Sequence, residues 1–489
     1  MASNCSESTC PITIDALPTE LLFQVLGYLE TPPPSDDRLH DQPKRDMLDS
    51  HPGALKEASL VCKRWRATAM PLLFRHVHWK FSRFDMLLYE QGLNNDPFDI
   101  FPLLAFLQNN DLCRYVDSLT ITAGNSVGLP TSVGLGEVAE RTDASAGHHA
   151  PTEGPLQPSN APSRVDNSNW LWDLVFDIMD PTRVTILATP EMLAVLISCM
   201  LFLGDAWGFN PNMLHILSLS REARSMKTKQ ALASLDITPR ADIFRLHCPH
   251  ELPRAQLPRS RLFTARPWTH LLLNEGSSTR VYQTYEFFLK QPPSVLGALL
   301  GCEEAPNDIP LIPPTVKSLS YVAIFPLSSH FNNLVSFLPP IDRLFVQLVP
   351  RNDILRDPVE MRHIQLSDLW MERNSCYSLI MRELLADYEG VEEGLDHNAV
   401  DDGISPPVET NWRYLREFES GDAADRDAWE LAVQFVRMSG TGWYVEREGV
   451  FAKGPRRPPS ESSDDSAASY ADSDNIDDSQ TGIQYLWAW

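Results

Sequence analysis

Apolar residues recur at helical spacing at Leu17, Leu21, Leu22, Val25, Leu26 and Leu29, which predicts an amphipathic helix near the N-terminus. Pro18 suits the first turn of such a helix, and Glu20 there faces its positive end. The helix is expected to stop before Thr31-Pro32-Pro33-Pro34, a run that cannot be helical. Residues 31–53 are polar, with few apolar positions, and read as a loop. A second helix is predicted from about Ala54 to Met70, with Leu55, Ala58, Val61, Cys62, Trp65 and Ala69 on one face and Pro71 ending it. Leu72-Leu73-Phe74 then leads into Val77-His78-Trp79, a candidate strand.

A second pattern follows: an aliphatic residue, two others, an aliphatic, one other, then an aliphatic or Tyr. It occurs at Val116/Leu119/Ile121, Val316/Leu319/Tyr321, Ile341/Leu344/Val346 and Met361/Ile364/Leu366, and more loosely at Pro181/Val184/Ile186 and Ile243/Leu246/Cys248. The starts at 316, 341 and 361 fall within the ~20–29-residue period of leucine-rich repeats. The longer intervals before them require insertions, and the alternative is six unrelated strands of an α/β domain. Gly124 to Asn169 has no aromatic residue and many Gly, Pro, Ser and Ala, which reads as a disordered insertion. Residues 387–410 read as an acidic loop. Asp425 to Met438 predicts an amphipathic helix, and Trp443–Val445 with Gly449–Phe451 a closing hairpin.

Charge changes this picture in one respect. The 489 residues carry a formal net charge of -24, which argues against a phosphate-tracking, nucleic-acid-binding surface. Residues 387–402 and 460–478 each hold seven acids and no base, so most of the acidity belongs to two segments. Residues 51–81 run the other way, with Lys56, Lys63, Arg64, Arg66, Arg75 and Lys80 against Glu57. Such a basic face suits an acidic partner, or solvation alone. The eight cysteines are too sparse for a disulfide scaffold and form no CxxC, so free thiols in a reducing compartment are expected. The N-terminal residues lack the basic and apolar regions of a signal peptide, and the longest apolar stretch, Met192 to Gly204, is too short for a span. The expectation is a soluble cytoplasmic or nuclear protein.

Chemistry-bearing motifs are sparse. No Walker, dinucleotide-binding or His-Glu-x-x-His pattern is present, and Cys248-Pro249-His250 lacks a second pair at zinc spacing, so no cofactor or metal is expected. Gly124-Asn125-Ser126-Val127-Gly128 matches the hydrolase elbow, but Leu129-Pro130 follows where the elbow needs a helix. A hydrolase using Ser126 therefore stands only as an alternative.

The N-terminal block is more specific. Leu17-Pro18-x-Glu20-Leu21-Leu22, then Val25-Leu26-x-Tyr28-Leu29, then Leu60-Val61-Cys62-Lys63-Arg64-Trp65-Arg66 resembles the F-box family. The insertion at 31–53 is longer than the family's usual spacing, a cheap change in a loop. Arg266-Pro267-Trp268-Thr269, Asn274-Glu275-Gly276 and Tyr285-Glu286-Phe287 are similar to phrases in leucine-rich F-box proteins of filamentous fungi. The resemblance implies a non-catalytic substrate receptor. Its F-box would dock on the Skp adaptor of a cullin-RING (SCF-type) ubiquitin ligase, and its repeat domain would present a target protein. An F-box scaffold acting outside ubiquitination is the alternative. The expected adaptor contacts are Leu17, Pro18, Leu21, Leu22, Leu26, Leu60, Val61 and Trp65. Arg266, Trp268, Arg280 and Tyr282 are the expected target contacts, because aromatic and Arg side chains anchor interfaces. Ser462 and Ser469, each three residues before an Asp, are candidate phosphorylation sites.

The predicted fold is α+β to α/β: a small helical F-box followed by an irregular leucine-rich-repeat-like α/β solenoid with disordered insertions. Its expected parts are a disordered 1–11 and the F-box at 12–81 with its loop at 31–53. The repeat domain at 82–453 follows, with a disordered insertion at 124–169 and the acidic loop at 387–410, and then an acidic disordered tail at 454–489.

Overall fold

The computed structural model describes residues 14, 17–47, 53–82, 101–124, 168–222, 260–349, 353–386, 410–423 and 425–454. Helix α1 (Thr19–Gly27) starts after Pro18, as the pattern predicts. The stretch expected to be a non-helical loop forms a short α2 (Pro34–Asp37). Pro34 opens it, at the one helical position where a missing N–H costs nothing. The single helix expected over 54–70 is two, α3 (Ala54–Ala58) and α4 (Lys63–Leu73). Between them Cys62 turns extended and caps α4, its Sγ accepting from the Trp65 amide at 3.5 Å. Pro71 lies inside α4 rather than ending it, with only Leu72 and Leu73 beyond.

Among the described residues, ten strands form one sheet. They are β1 (His76–Ser82), β2 (Ser118–Gly124), β3 (Arg183–Ala188), β4 (His215–Ser220), β5 (His270–Ser277), β6 (Ser318–Ile324), β7 (Arg343–Gln347), β8 (Glu417–Ser420), β9 (Trp443–Arg447) and β10 (Val450–Lys453). Each strand from β1 to β7 pairs with the next in sequence, and the sheet ends β8-β10-β9. The pairings β1–β2–β3 and β5–β6–β7–β8 are parallel, whereas β4 is antiparallel to both its neighbours. The predicted hairpin forms, and β10 also adds antiparallel to β8.

Strand alternation sends every second side chain to one face. Leu119 and Ile121, Val184 and Ile186, Leu271 and Leu273, Leu319 and Tyr321, and Leu344 and Val346 all bury there, in one core. Helices α5 (Pro102–Asn109), α6 (Asn169–Ile178), α7 (Pro190–Leu196), α8 (Arg261–Thr264), α9 (Leu296–Leu300), α10 (Ser328–Ser336), α11 (Leu366–Leu384) and α12 (Arg426–Ser439) contribute residues to the same core. Four of the six pattern positions are strands β2, β3, β6 and β7. Met361/Ile364/Leu366 is not a strand: it forms turns that lead into the 19-residue α11. Ile243/Leu246/Cys248 lies outside the described residues. The chain is thus a helical N-terminal region joined to a mixed α/β region. The antiparallel β4 and the closing hairpin depart from a uniform repeat.

The opposite face mixes polar side chains with Leu187, Ile216 and Leu272, and the supposed loop crosses it. Thr120 of β2 donates to Ser35 at 3.2 Å, and Arg183 of β3 pairs with Asp36. Leu39 and Met47 bury against Leu187, Leu214, Ile216 and Leu272. The Asn274 side-chain amide donates to the carbonyls of Leu39 and Asp41, both at 2.8 Å. His40 stacks on Phe345 of β7 at 4.6 Å, and Gln347 donates to its carbonyl. Gly276 leaves room for the crossing: its φ is +70°, and a Cβ there would meet the Leu214 carbonyl at 3.0 Å and Pro43 at 3.5 Å. Residues 31–47 are therefore a strap laid across the strands, not a free loop. Asn274→Ala removes both anchoring donors and leaves two carbonyls unpaired. Tryptic cleavage after Arg38, Lys44 and Arg45 is then expected to speed up several-fold, about 5-fold or more. An unchanged cleavage rate would mean that these two hydrogen bonds do not hold the strap.

His215 in β4 is fully buried, and both ring nitrogens lack hydrogen-bond partners. Burial pushes its imidazole down to about 4; Glu275 opposes this and His330 reinforces it. The unfolded chain takes up the proton near pH 6.5, while the fold resists it to about 4. Stability is therefore complete above pH 6.5 and declines as the pH falls towards 4, by up to about 3 kcal/mol. Melting temperatures from pH 7 to 4 should fall less steeply in His215→Leu than in the wild type; parallel profiles would exclude His215 as the source.

Candidate functional site

The N-terminal helices form their own small core of Leu22, Leu26, Leu55, Ala58, Ala69 and Leu72, with Trp65 and Leu73 packed against it. Leu22 and Leu26 are one turn apart, so they occupy one stripe of α1 and face α4. Leu21, Val25 and Tyr28 or Leu29 form a second stripe at the same spacing, and these side chains are exposed, Tyr28 at 89%. A nine-residue helix with two apolar stripes buries one and presents the other. The turn between α3 and α4 does the same with Leu60 and Val61, exposed at 72% and 63%. Exposed apolar residues scattered singly are ordinary; several on adjoining elements of one small module mark an interaction surface.

The expected adaptor contacts divide accordingly. Pro18, Leu21, Leu60 and Val61 are exposed, and Leu17 is half-buried. Leu22 and Leu26 are 0% and 1% exposed, so they hold α1 in place and cannot touch a partner. Trp65 turns onto the internal core, since its helix face also carries Ala69 and Leu72. Phe23, Val25, Tyr28 and Leu29 join the surface instead. Val25 and Leu29 already stood in the sequence stripe; what the sequence did not separate was its two sides.

Charge around this surface is mixed in role. Lys56, Lys63 and Arg66 are exposed beside it. Arg64 instead donates to the Leu17 carbonyl, fixing the start of α1. Arg75 binds Glu30 at 2.5 Å and Asp117 at 3.4 Å, which ties the end of α1 to the sheet. The helical module and the sheet are joined further at β1, whose seven residues pair with β2.

Of the expected target contacts, only Arg280 is exposed. Trp268 is fully buried, and its indole N–H donates to the Leu262 carbonyl at 2.7 Å. Tyr282 is buried too, its hydroxyl donating to the Phe325 carbonyl at 3.0 Å. Arg266 borders a cleft of about 480 Å³, but its guanidinium is committed to Asp180 at 2.5 Å and to the Phe176 carbonyl. Large aromatics beside a strand are core before they are contacts. Ser126, Ser462 and Ser469 lie outside the described residues.

One buried polar cluster accompanies the sheet. Glu275 at the end of β5 accepts from Tyr321 at 2.5 Å and from Ser294, and lies 3.0 Å from His330 Nε2. Burial would raise its carboxyl; His330, His215 and the Ser294 hydroxyl more than offset that and hold it down at about 2. Enclosed at 6% exposure, it cross-links β5, β6 and α10. Among the described residues, no group of three or more His, Cys, Asp or Glu could hold a metal ion, and no helix is long and apolar enough to cross a membrane.

Residues 14–78 match the model of the F-box-like family. No curated protein and no solved structure matches the chain. The match spans α1 to α4, the exposed apolar surface and the strap, and reaches the first residues of β1. The chain therefore carries an F-box-like domain at residues 14–78.

Proposed function

We propose that this chain is the target-recognition subunit of an SCF-type ubiquitin ligase. F-box domains in general bind Skp-type adaptors and are not catalytic, so its contribution is proximity rather than bond chemistry. The observation that carries the reading is the second apolar stripe of α1 together with Leu60 and Val61, left exposed by a module whose internal core is already filled. A module of this size rarely spends so many apolar side chains on solvent without a partner. The exposed Lys56, Lys63 and Arg66 add steering towards an acidic adaptor. The sheet region is the part available to a target protein.

The test is capture of purified Skp adaptor by the full chain, followed by recovery of cullin from cell extract through that adaptor. Adaptor and cullin together support the ligase reading. Adaptor without cullin points to a scaffold outside ubiquitination, and capture of neither sinks the F-box assignment of function.

A further inference from the structure

The cleft of about 480 Å³ lies where the chain enters β5 and β6. Five of its lining residues are prolines: Pro267, Pro306, Pro310, Pro313 and Pro314. Proline rings are rigid and apolar, and they pack well against aromatic rings. A cleft of this size can enclose a drug-sized group. Most of its buried polar atoms are already used. Arg266 is held by Asp180 and the Phe176 carbonyl, and the Asn307 amide exchanges hydrogen bonds with the Met200 backbone at 2.7 and 3.2 Å. Ser260 is the exception: it is 2% exposed, and its Oγ has no hydrogen-bond partner. It precedes α8 without capping it. A buried hydroxyl left unpaired costs free energy, so the cleft suits a ligand that is aromatic, uncharged and able to hydrogen-bond a hydroxyl.

The chain itself carries such a segment. Residues 460–478 are acidic, but residues 479–489 have no charged side chain and include Tyr485-Leu486-Trp487-Ala488-Trp489. Gly454 lies at the same end of the sheet as the cleft. There the backbone N–H of Asp342 donates to Lys317 at 2.9 Å, that of Arg416 to Asp342 at 2.9 Å, and that of Lys453 to Arg416 at 2.8 Å. Each bond crosses one strand spacing of about 4.8 Å, which puts Gly454 about 15 Å from the entry to β6. Tyr485 stands 31 positions beyond Gly454. A chain of that length spans about 30 Å on average even when coiled at random, so the reach is ample. The edge between them carries Lys317, Arg416 and Lys453 against Asp342, and an acidic stretch crosses it without net repulsion.

We propose that this cleft binds the chain's own residues 485–489, with the indole N–H of Trp487 or Trp489 donating to Ser260 Oγ and the rings set against the prolines. The contact is independent of the ligase reading. Tethering supplies much of its strength. A linker of this length holds the segment at an effective concentration on the order of 1 mM, so a modest fit is enough to keep the cleft filled. An aromatic segment of any other protein would have to displace the tethered one.

The experiment uses the full chain, as wild type and as the double variant Trp487→Ala with Trp489→Ala. A labelled peptide of residues 479–489 is added and read by fluorescence anisotropy. The double variant should bind it with an affinity about tenfold or more above that of the wild type, whose own segment competes. Ile309 lines the cleft and is 52% exposed, so Ile309→Glu should leave the fold intact. Added to the double variant, it should weaken the peptide about tenfold or more. Ser260→Ala in the same background should weaken it about fivefold with an unchanged melting temperature, since the hydroxyl has no partner to lose. Equal affinity for wild type and double variant would overturn the proposal and leave the cleft to a segment of another protein. Absence of binding to the double variant, or binding that Ile309→Glu does not weaken, would overturn it too. A wild-type dimer that dissociates in the double variant would show the segment passing between two copies, and so would exclude a contact within one chain.

Discussion

Replacing Leu60 and Val61 together by aspartate should weaken capture of the Skp adaptor about a hundredfold or more, with the melting temperature changed by no more than about 2 °C. The two side chains are more than half exposed in the free chain, so the fold loses little when they change. In a complex each would contribute about 1.5–3 kcal/mol of apolar burial, and aspartate adds a carboxylate with no partner at the same position. Calorimetric titration of the variant with adaptor, beside its thermal melt, separates the two effects. Leu22→Asp provides the contrast: it buries a charge in the small core and should unfold the module outright. Full-strength adaptor binding by the Leu60/Val61 variant would place the docking face elsewhere on the chain.

Trp268→Ala is expected to cost about 3–5 kcal/mol, a large share of the roughly 5–15 kcal/mol that holds a domain together. The indole is wholly enclosed, stands 6.1 Å from Phe176 and lies under the Arg221 guanidinium. Removing it leaves a cavity, and it leaves the Leu262 carbonyl without its donor. Trp268→Phe fills most of the cavity and loses only the hydrogen bond, so its cost should be nearer 1–2 kcal/mol, on the order of one buried polar contact. Chemical denaturation of both variants checks the pair. A destabilisation below about 1 kcal/mol in the alanine variant would restore Trp268 as a candidate surface anchor.

The helices and several strands were legible because each carries a period. Leu22 with Leu26, and Val316, Leu319 and Tyr321, repeat at the spacing of their elements. The strands that escaped differ for physical reasons. β5 has the same spacing at Trp268, Leu271 and Leu273, but an indole fills the position where an aliphatic residue was sought. β4 runs antiparallel, so its residues meet the core in the reverse order. Met361, Ile364 and Leu366 matched the strand spacing but lead into a long helix, since three apolar positions do not fix an element. The strap was invisible for another reason: its apolar anchors are only Leu39 and Met47, its side-chain contacts at Ser35, Asp36 and His40 follow no period, and the carbonyls of Leu39, His40 and Asp41 carry no sequence signal. Trp268 and Tyr282 are enclosed rather than exposed, because sequence shows which side chains are large, not which ones neighbouring elements cover.

The strap and β1 have a consequence for how such a chain can be cut. Deleting residues 12–81, the natural way to make a receptor blind to its ligase, would also strip β2 of its neighbour and uncover Leu187, Leu214, Ile216 and Leu272. The product would have an unpaired strand edge next to a bare apolar strip, which invites self-association rather than a clean loss of one activity. The F-box-like module is thus also the lining of the sheet region, so its exposed apolar surface can be disabled by changing surface side chains but not by scissors.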